Sequence, residues 1–151
     1  SSDLIVVTNR SEPRLDSMRE VHEQINPGIA VEYHHCPEPG ANDAVVAGLP
    51  AGSVVANATG LGKDAPGSPL TNGARFPERG YAWDFNYRGD LRFMEQARAQ
   101  QEARSLHVED GWIYFIHGWT RVIAEVFHRD IPTSGPVFDE LSLIAARARR
   151  R

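Results

Sequence analysis

The sequence predicts an α/β domain built on a mostly parallel sheet. Short apolar runs alternate with segments of helical period along the chain, as expected of parallel strands joined by helical crossovers. The 151 residues suffice for one domain with a real core, and 41% hydrophobic and 24% charged residues are ordinary for a globular protein. The predicted helices and strands, taken in chain order, support this fold class.

The first half of the chain predicts three strands and two helices. The strands cover residues 4–7, 29–33 and 53–56, each a short run rich in apolar or β-branched residues. A helix over 13–25 opens at a proline, and a shorter helix over 43–49 ends before a proline and a glycine. Strand and helix therefore alternate from the start.

The second half continues the pattern after a loop over 60–80 that is rich in glycine and proline. Strands are predicted over 81–84 and 106–108, and helices over 91–103, 112–127 and 137–149. The last helix follows a linker over 131–136 and has Phe138, Leu141, Ile144 and Ala145 on one face.

Composition narrows the class of protein. The net charge of −4 argues against nucleic acid as a partner. Cys36 is the only cysteine, so no intrachain disulfide can form, which suits a cytoplasmic protein. No apolar run approaches the roughly 20 residues that span a bilayer. No leader is visible, so we expect a cytoplasmic location without membrane contact.

The end of the first strand is the most informative stretch. Asn9, Arg10, Ser11 and Arg14 follow its apolar residues. In dinucleotide-binding folds an acidic residue at this point holds the ribose 2′-OH, whereas arginine accommodates a 2′-phosphate. Guanidinium groups grip phosphate through paired donors, so the pattern predicts NADP(H) rather than NAD(H). Ordinary surface arginines at an exposed strand end are the alternative.

Polar turns follow two later strands. Asn57, Ala58 and Thr59 form a turn of small residues that a ligand could approach closely, and a plain asparagine turn is the alternative. Asp84 could cap local backbone amides. Tyr87 could bind a hydroxylated ligand or pack its ring, and packing is the stronger interpretation.

A glycine turn at Gly111 opens the helix predicted over 112–127. Tyr114, His117 and neighbouring tryptophans suggest a pocket wall, and a core helix with one satisfied histidine is the alternative. The His34-His35-Cys36 run invites a metal interpretation. We disfavour it, because no partner cysteine exists and adjacent strand residues point to opposite faces.

Together these motifs resemble the cofactor-binding domain of the shikimate/quinate dehydrogenase family, a Rossmann-like three-layer fold. Asn9-Arg10-Ser11 with Arg14 is similar to the family's clasp on the NADP 2′-phosphate, and Asn57-Ala58-Thr59 to its turn beside the dinucleotide. Asp84-Phe85-Asn86-Tyr87 is similar to its Asp-x-x-Tyr segment. The resemblance implies that Phe85, Gly111 and Tyr114 border the nicotinamide and that Tyr87 reaches the substrate.

The chain departs from the family in its substrate pocket. Gly118 stands where the family has a substrate-binding glutamine, Tyr114 replaces a methionine and Trp119 replaces a small residue. A glycine offers no side-chain hydrogen bond, so we expect a reshaped pocket. His117 and Trp119 could supply compensating contacts.

The resemblance begins partway into the family's cofactor domain. No G-x-G-x-x-G run occurs, Lys63 is the only lysine and does not match the family's catalytic context, and no catalytic residue is assigned here. The resemblance implies an NADP-binding part over 1–130. It also implies a helix over 131–151 that packs toward a substrate domain outside this chain.

The implied activity is hydride transfer between NADP(H) and a shikimate-like cyclic polyhydroxy acid, in aromatic amino acid biosynthesis. We expect this chain alone to be inactive. A non-catalytic nucleotide-binding or interaction fragment, or a related two-domain dehydrogenase with another substrate, are the alternatives.

The fold is therefore expected to be incomplete at its N-terminal end. Strand 1 is central in the strand order of this fold, so without it two inner sheet edges would expose unpaired backbone groups. We expect no stable monomer from these residues alone. Preceding residues, another chain or a swapped homodimer would complete the sheet.

Overall fold

A computed structural model describes residues 4–25 and 28–149 of the chain. The elements run in the order β1 (Leu4–Asn9), α1 (Glu12–Ile25), β2 (Ala30–His35), α2 (Pro39–Ala47), β3 (Val54–Asn57), β4 (Tyr81–Asp84), α3 (Arg92–Arg98), α4 (Gln101–Arg104), β5 (His107–Glu109), α5 (Trp112–Phe127) and α6 (Pro136–Arg149). The predicted α/β class is confirmed.

The strands form two small parallel sheets rather than one. In the first, β1 pairs with β2 from Leu4 opposite Ala30 to Asn9 opposite His35. In the second, β4 lies between β3 and β5 and runs parallel to both. Within the described residues, β1 and β3 each have a hydrogen-bonded neighbour on one side only. This division is compatible with the incomplete Rossmann-like sheet that the sequence predicts.

The hydrophobic core lies on the three-stranded sheet. Phe76 and Phe93 pack edge to face with ring centroids 5.5 Å apart, and α3 lies against β4 and β5. The buried members of this core are Val46, Val55, Leu70, Ala74, Phe76, Ala82, Phe93, Ala97 and Leu106. Three of them come from the 58–80 segment, so this loop is a packed part of the domain.

The two-stranded sheet is covered less well. The side chain of Leu15 on α1 is fully buried. Leu4 and Ile5 on β1 nevertheless remain 49% and 46% exposed. Such apolar runs are typical of parallel strands that are covered on both faces. The strand forms where the sequence predicts it, but its expected burial is not reached in this arrangement.

Several element boundaries differ from prediction. The helix predicted over 91–103 divides into α3 and α4, and Leu91 has a φ of 47°, which places it before the helix. The helix predicted over 43–49 begins four residues earlier at Pro39. Proline suits a helix start because its missing N–H would have no partner there.

Candidate functional site

A polar cavity of about 570 Å³ lies where β1 and β3 end. We call it the tip cavity. Its wall includes Asn9, Arg10, Ser11 and Arg14 from the end of β1 and the start of α1, and Ala58 and Thr59 from the turn after β3. The structure thus brings together two motifs that are 44 or more positions apart in the sequence. Carboxyl ends of parallel strands are the usual place for ligands in open α/β sheets.

The two arginines of the tip cavity are available to a ligand. The side-chain oxygen of Asn9 accepts a hydrogen bond from the Ser11 amide at 2.9 Å, which shapes the turn that carries Arg10. Among the described residues, neither Arg10 nor Arg14 takes part in an ion pair, and both are exposed. Two guanidinium groups on one turn of chain favour an anionic ligand.

The tip cavity also contains acidic groups and a thiol. Asp64 is paired with Lys63 at 3.1 Å and lies 3.6 Å from Arg88, so its charge is largely compensated. Glu38 lines the cavity at the start of α2 and makes no cap hydrogen bond. Cys36 is buried, and burial raises the pKa of its thiol, which disfavours the reactive thiolate.

Asn57 lies beneath the cavity wall rather than in it. Its side chain is almost fully buried, and its Oδ1 accepts hydrogen bonds from the Thr59 amide at 3.0 Å and the Thr59 hydroxyl at 2.7 Å. The Thr59 hydroxyl in turn accepts from the Leu61 amide at 3.2 Å. Asn57 therefore holds the turn in place, as the interpretation of a plain asparagine turn proposed. Ala58 and Thr59 form the surface that a ligand would meet.

A buried carboxylate supports Asn57 from the neighbouring strand. Oδ1 of Asp84 accepts from Asn57 Nδ2 at 3.1 Å and from the Asn86 amide at 3.0 Å. Its Oδ2 has no hydrogen-bond partner among the described residues. Burial raises the pKa of Asp84, and the nearby Asp110 charge adds a small increase, although the bonds from Asn86 and Asn57 oppose it. Its predicted role in capping local amides is confirmed.

Asn86 joins the tip cavity to the turn before α5. Its side-chain amide donates to the carbonyls of Thr59 at 2.9 Å and Leu61 at 3.2 Å. Its own carbonyl accepts from the Gly111 amide at 3.0 Å. Sequence reasoning did not select Asn86, because both of its side-chain acceptors are more than 20 residues away in the chain.

The residues expected near a nicotinamide contact one another. The rings of Phe85 and Tyr114 stack with centroids 5.0 Å apart. Gly111 passes so close to the Phe85 carbonyl that any side chain at this position would overlap it. Tyr87 packs its ring at 4.3 Å from Phe115 and 5.5 Å from Trp112, as the packing interpretation proposed. None of these aromatic residues lines the tip cavity.

Tyr114 and His117 instead line a second cavity, of about 630 Å³, on the three-stranded sheet. Its wall also contains Val54, Trp83 and Ile113. Tyr114 and His117 therefore line a pocket, as predicted for this run, whereas Trp112 and Trp119 do not line it. The His117 ring also stacks on Phe138 of α6 at 4.3 Å. At Gly118, a side chain would meet open space, with no atom within 4 Å.

The histidine run after β2 makes local polar contacts. His34 lies 3.3 Å from Glu32, and His35 lies 3.2 Å from Glu12 and 3.1 Å from the Arg10 carbonyl. In the part of the chain that the structure describes, no group of three or more His, Cys, Asp or Glu side chains could hold a metal ion.

No protein-family model, curated protein or solved structure matches this chain. None of the described helices is both long enough and apolar enough to span a bilayer. The fold and the two cavities define an α/β protein with a polar cleft at the ends of parallel strands.

Proposed function

We propose that this chain is the cofactor-binding part of an NADP-dependent oxidoreductase that resembles shikimate dehydrogenase. The observation that carries the proposal is the tip cavity, in which Arg10 and Arg14, neither of them ion-paired with another described residue, line the wall near the polar turn at Thr59. Two guanidinium groups would balance the two negative charges of a 2′-phosphate, and each can donate paired hydrogen bonds to phosphate oxygens.

The donor set fits the adenosine end of NADP(H). Arg10 and Arg14 would bind the 2′-phosphate, with Asn9 and Ser11 supplying further polar groups. Ala58 and Thr59 would line the dinucleotide on the opposite wall. Glu38 in the same cavity would accept hydrogen bonds from a ribose or adenine donor, but its charge weakens phosphate binding.

When bound, NADP(H) supplies the hydride. The chain's own residues would bind and orient the reactants. Phe85, Gly111 and Tyr114 form a contiguous surface against which a planar ring could rest. Tyr87, His117 and Gly118 would face the substrate, a cyclic polyhydroxy acid. The groups that transfer the proton would belong to another part of the protein, so we expect no turnover from this chain alone.

Helices α5 and α6 support the proposal of a substrate domain or partner chain. Several large apolar side chains on α5 repeat at helical spacing and face solvent: Trp119, Val122, Ile123, Val126 and Phe127. Trp119 alone is 53% exposed. Contiguous apolar surface of this kind marks a contact with another protein surface. A homodimer would cover the same helices.

Binding of adenosine 2′,5′-bisphosphate tests the proposal at its central point. This probe carries the 2′-phosphate but needs no nicotinamide site, so calorimetric titration reports on the tip cavity alone. We expect it to bind at least 10-fold more tightly than adenosine 5′-monophosphate. NADPH should likewise bind more tightly than NADH.

The double substitution Arg10→Ala and Arg14→Ala should abolish that preference. Arg98→Ala, an exposed arginine on α3 outside the cavity, is the matched control and should leave it unchanged. Equal affinity for both nucleotides in the unsubstituted protein would overturn the proposal. A preference for the bisphosphate without NADPH binding would favour the second candidate, a nucleotide-binding module without catalysis, which Gly118 supports because a glycine offers no side chain to hold a substrate.

A further inference from the structure

We infer that a cleft between α3 and the segment over 72–75 binds a small phosphate monoester whose organic part is neutral and hydroxylated. A polar cavity of about 530 Å³ lies there, and we call it the arginine cleft. Its charged lining residues are Arg75, Arg92, Glu95 and Arg104. It shares no lining residue with the tip cavity, so the two sites are separate. This inference does not depend on cofactor binding in the tip cavity.

The wall of the arginine cleft is held in place by side chains that bond to backbone groups of a distant segment. The Gln96 side-chain amide donates to the Leu70 carbonyl at 3.1 Å, and that of Gln100 donates to the Ala74 carbonyl at 2.8 Å. Gln96 is itself buried, so breaking its bonds would leave unpaired polar atoms at a high cost in free energy. The wall is thus preorganised, which reduces the entropy lost when a ligand binds.

Two arginines of the cleft carry charge that no carboxylate balances. Among the described residues, neither Arg75 nor Arg104 forms an ion pair. Arg104 Nη1 donates to the Phe76 carbonyl at 2.9 Å, which orients the guanidinium while using only one of its N–H donors. Arg92 instead lies 3.2 Å from Glu95, so these two charges offset each other. Three arginines and one glutamate leave the cleft with a net charge of +2, in a protein whose net charge is −4.

A phosphate group suits this arrangement better than a carboxylate does. A phosphate monoester carries a charge of about −1.5 to −2 at pH 7, which balances the two uncompensated arginines. Guanidinium groups also bind phosphate oxygens through paired hydrogen bonds. A single carboxylate would leave one of the two positive charges unbalanced. The cleft therefore favours a dianionic phosphate.

The organic part of the ligand would enter a neighbouring cavity of about 300 Å³. Arg75 and Arg104 line both cavities, so the two spaces are adjacent. The wall of the neighbouring cavity also includes Leu49, Pro77 and Glu78. The Glu78 carboxylate would accept hydrogen bonds from hydroxyl groups and repel a second anionic group. Both volumes lie within the range of about 300–1,000 Å³ that is typical of small-molecule sites.

Nitrogen–proton NMR titration of the purified chain tests the inference and locates the ligand. The probes are ribose 5-phosphate, inorganic phosphate and ribose, each in a chloride buffer. We expect ribose 5-phosphate to shift the backbone amides of Gly73 and Arg75 and to bind roughly 5-fold or more tightly than inorganic phosphate. Ribose alone should shift neither amide. Shifts confined to the tip cavity would overturn the inference, and equal affinity for both phosphates would overturn the assignment of a monoester.

Arg75→Ala removes one arginine of the cleft with little structural disturbance, because its side chain is exposed, whereas Arg104 also holds the Phe76 carbonyl. We expect ribose 5-phosphate to bind about 10-fold more weakly or worse at the cleft amides. Arg98→Ala changes an exposed arginine of α3 outside both cavities and should leave binding unchanged. Equal effects of the two substitutions would show a diffuse attraction to surface charge and would overturn the inference.

The double substitution Arg10→Ala and Arg14→Ala separates the arginine cleft from the tip cavity. These residues line the tip cavity alone of the two sites, so the shifts at Gly73 and Arg75 should persist with unchanged affinity. If the double variant lost ribose 5-phosphate binding while Arg75→Ala kept it, the phosphate would lie in the tip cavity and the inference would be wrong.

An added carboxylate provides a test that removes no hydrogen bond from the wall. Ala99→Glu introduces the carboxylate at an exposed position that lines the arginine cleft, whereas Ala103→Glu makes the same change at an exposed position of α4 outside both cavities. We expect Ala99→Glu to weaken binding of ribose 5-phosphate about 10-fold and Ala103→Glu to weaken it less than about 2-fold. Equal weakening by both would show that overall charge, rather than the cleft, governs binding, and would overturn the inference.

Discussion

Asn57 and Asp84 lie opposite each other on β3 and β4, and the Asn57 amide donates to the Asp84 carboxylate over 3.1 Å. This bond couples two turns, because Asn57 also holds Thr59 while Asp84 also holds Asn86. Asn86 then bonds to the Thr59 carbonyl and to Gly111. The wall of the tip cavity and the aromatic surface before α5 therefore share one buried polar network.

Substituting Asn57 by alanine should loosen this network. The change leaves a buried carboxylate without one donor and the Thr59 amide without its acceptor. We expect the free energy of unfolding to fall by about 2–3 kcal/mol, since hydrogen bonds to charged groups are worth about 1.5–3 kcal/mol. The midpoint of urea unfolding, followed by tryptophan fluorescence, measures the loss.

Thr59→Val is the graded control for Asn57→Ala. It removes the hydroxyl that donates to Asn57 and accepts from the Leu61 amide, but it keeps the Thr59 amide, the Asn57 side chain and the bond from Asn57 to Asp84. We expect a loss of about 1 kcal/mol. If Asn57→Ala cost no more than Thr59→Val, the bond to Asp84 would not stabilise the fold.

The buried Asp84 should make stability depend on pH. Burial raises its pKa in the folded state above the unfolded value of about 3.9, so the folded protein binds the proton more tightly. This contribution to stability is fully present below about pH 3.9 and is lost as the pH rises through the folded pKa. The ionised form is thus the less favourable one in the native state.

Asp84→Asn isolates that dependence, because its side chain keeps an acceptor and carries no charge. As the pH rises from about 4, we expect the urea midpoint of the variant to increase relative to that of the unsubstituted protein. Glu140→Gln, on an exposed position of α6, is the matched carboxyl control. A difference between variant and parent that stays constant with pH would show that Asp84 does not titrate differently on folding.

The sequence predicts the elements well because each apolar run and helical period is local. The strand at Tyr81–Asp84 and the helix at Trp112–Phe127 match their predicted bounds. The break between α3 and α4 was not predicted, since Gln100 donates to the Ala74 carbonyl, 26 residues away. The exposure of Leu4 likewise depends on which strand lies beside β1, and the pattern of one strand cannot specify its neighbour.

The sequence motifs predict part of the wall of the tip cavity but not the hydrogen-bond network beneath it. Arg10, Arg14 and Thr59 were selected from motifs, and they do line one cavity. The bond between Asn57 and Asp84 depends on strand register, which the two motifs do not encode separately. Glu38 carried no local signal. Its place in the tip cavity arises from the turn between β2 and α2.

Neutralising Glu38 should strengthen phosphate binding in the tip cavity. Its carboxylate shares the cavity with Arg10 and Arg14 and repels an anionic ligand. For Glu38→Gln we expect adenosine 2′,5′-bisphosphate to bind roughly 2- to 5-fold more tightly at low salt, a gain of about 1 kcal/mol or less. Calorimetric titration measures the change.

The controls for Glu38→Gln are a titration at high salt and the substitution of a carboxylate outside the cavity. The gain should shrink near 1 M salt, where the Debye length is about 3 Å. Glu23→Gln changes an exposed carboxylate on α1 outside the tip cavity and should not alter binding. Unchanged binding by Glu38→Gln would mean that the charge of Glu38 does not act on the phosphate, and weaker binding would mean that the carboxylate helps to hold the ligand.

Two glycines of the α5 region should respond oppositely to alanine. At Gly111 a methyl group would overlap the Phe85 carbonyl, so the turn must shift and Phe85 must move relative to Tyr114. We expect the free energy of unfolding to fall by about 1–3 kcal/mol and the near-UV circular dichroism signal to change.

At Gly118, inside α5, a methyl group meets no atom within 4 Å. Gly118→Ala should therefore stabilise the protein by about 1 kcal/mol, because alanine favours helix interiors over glycine. A similar loss for both variants would show that the Gly111 contact is not specific.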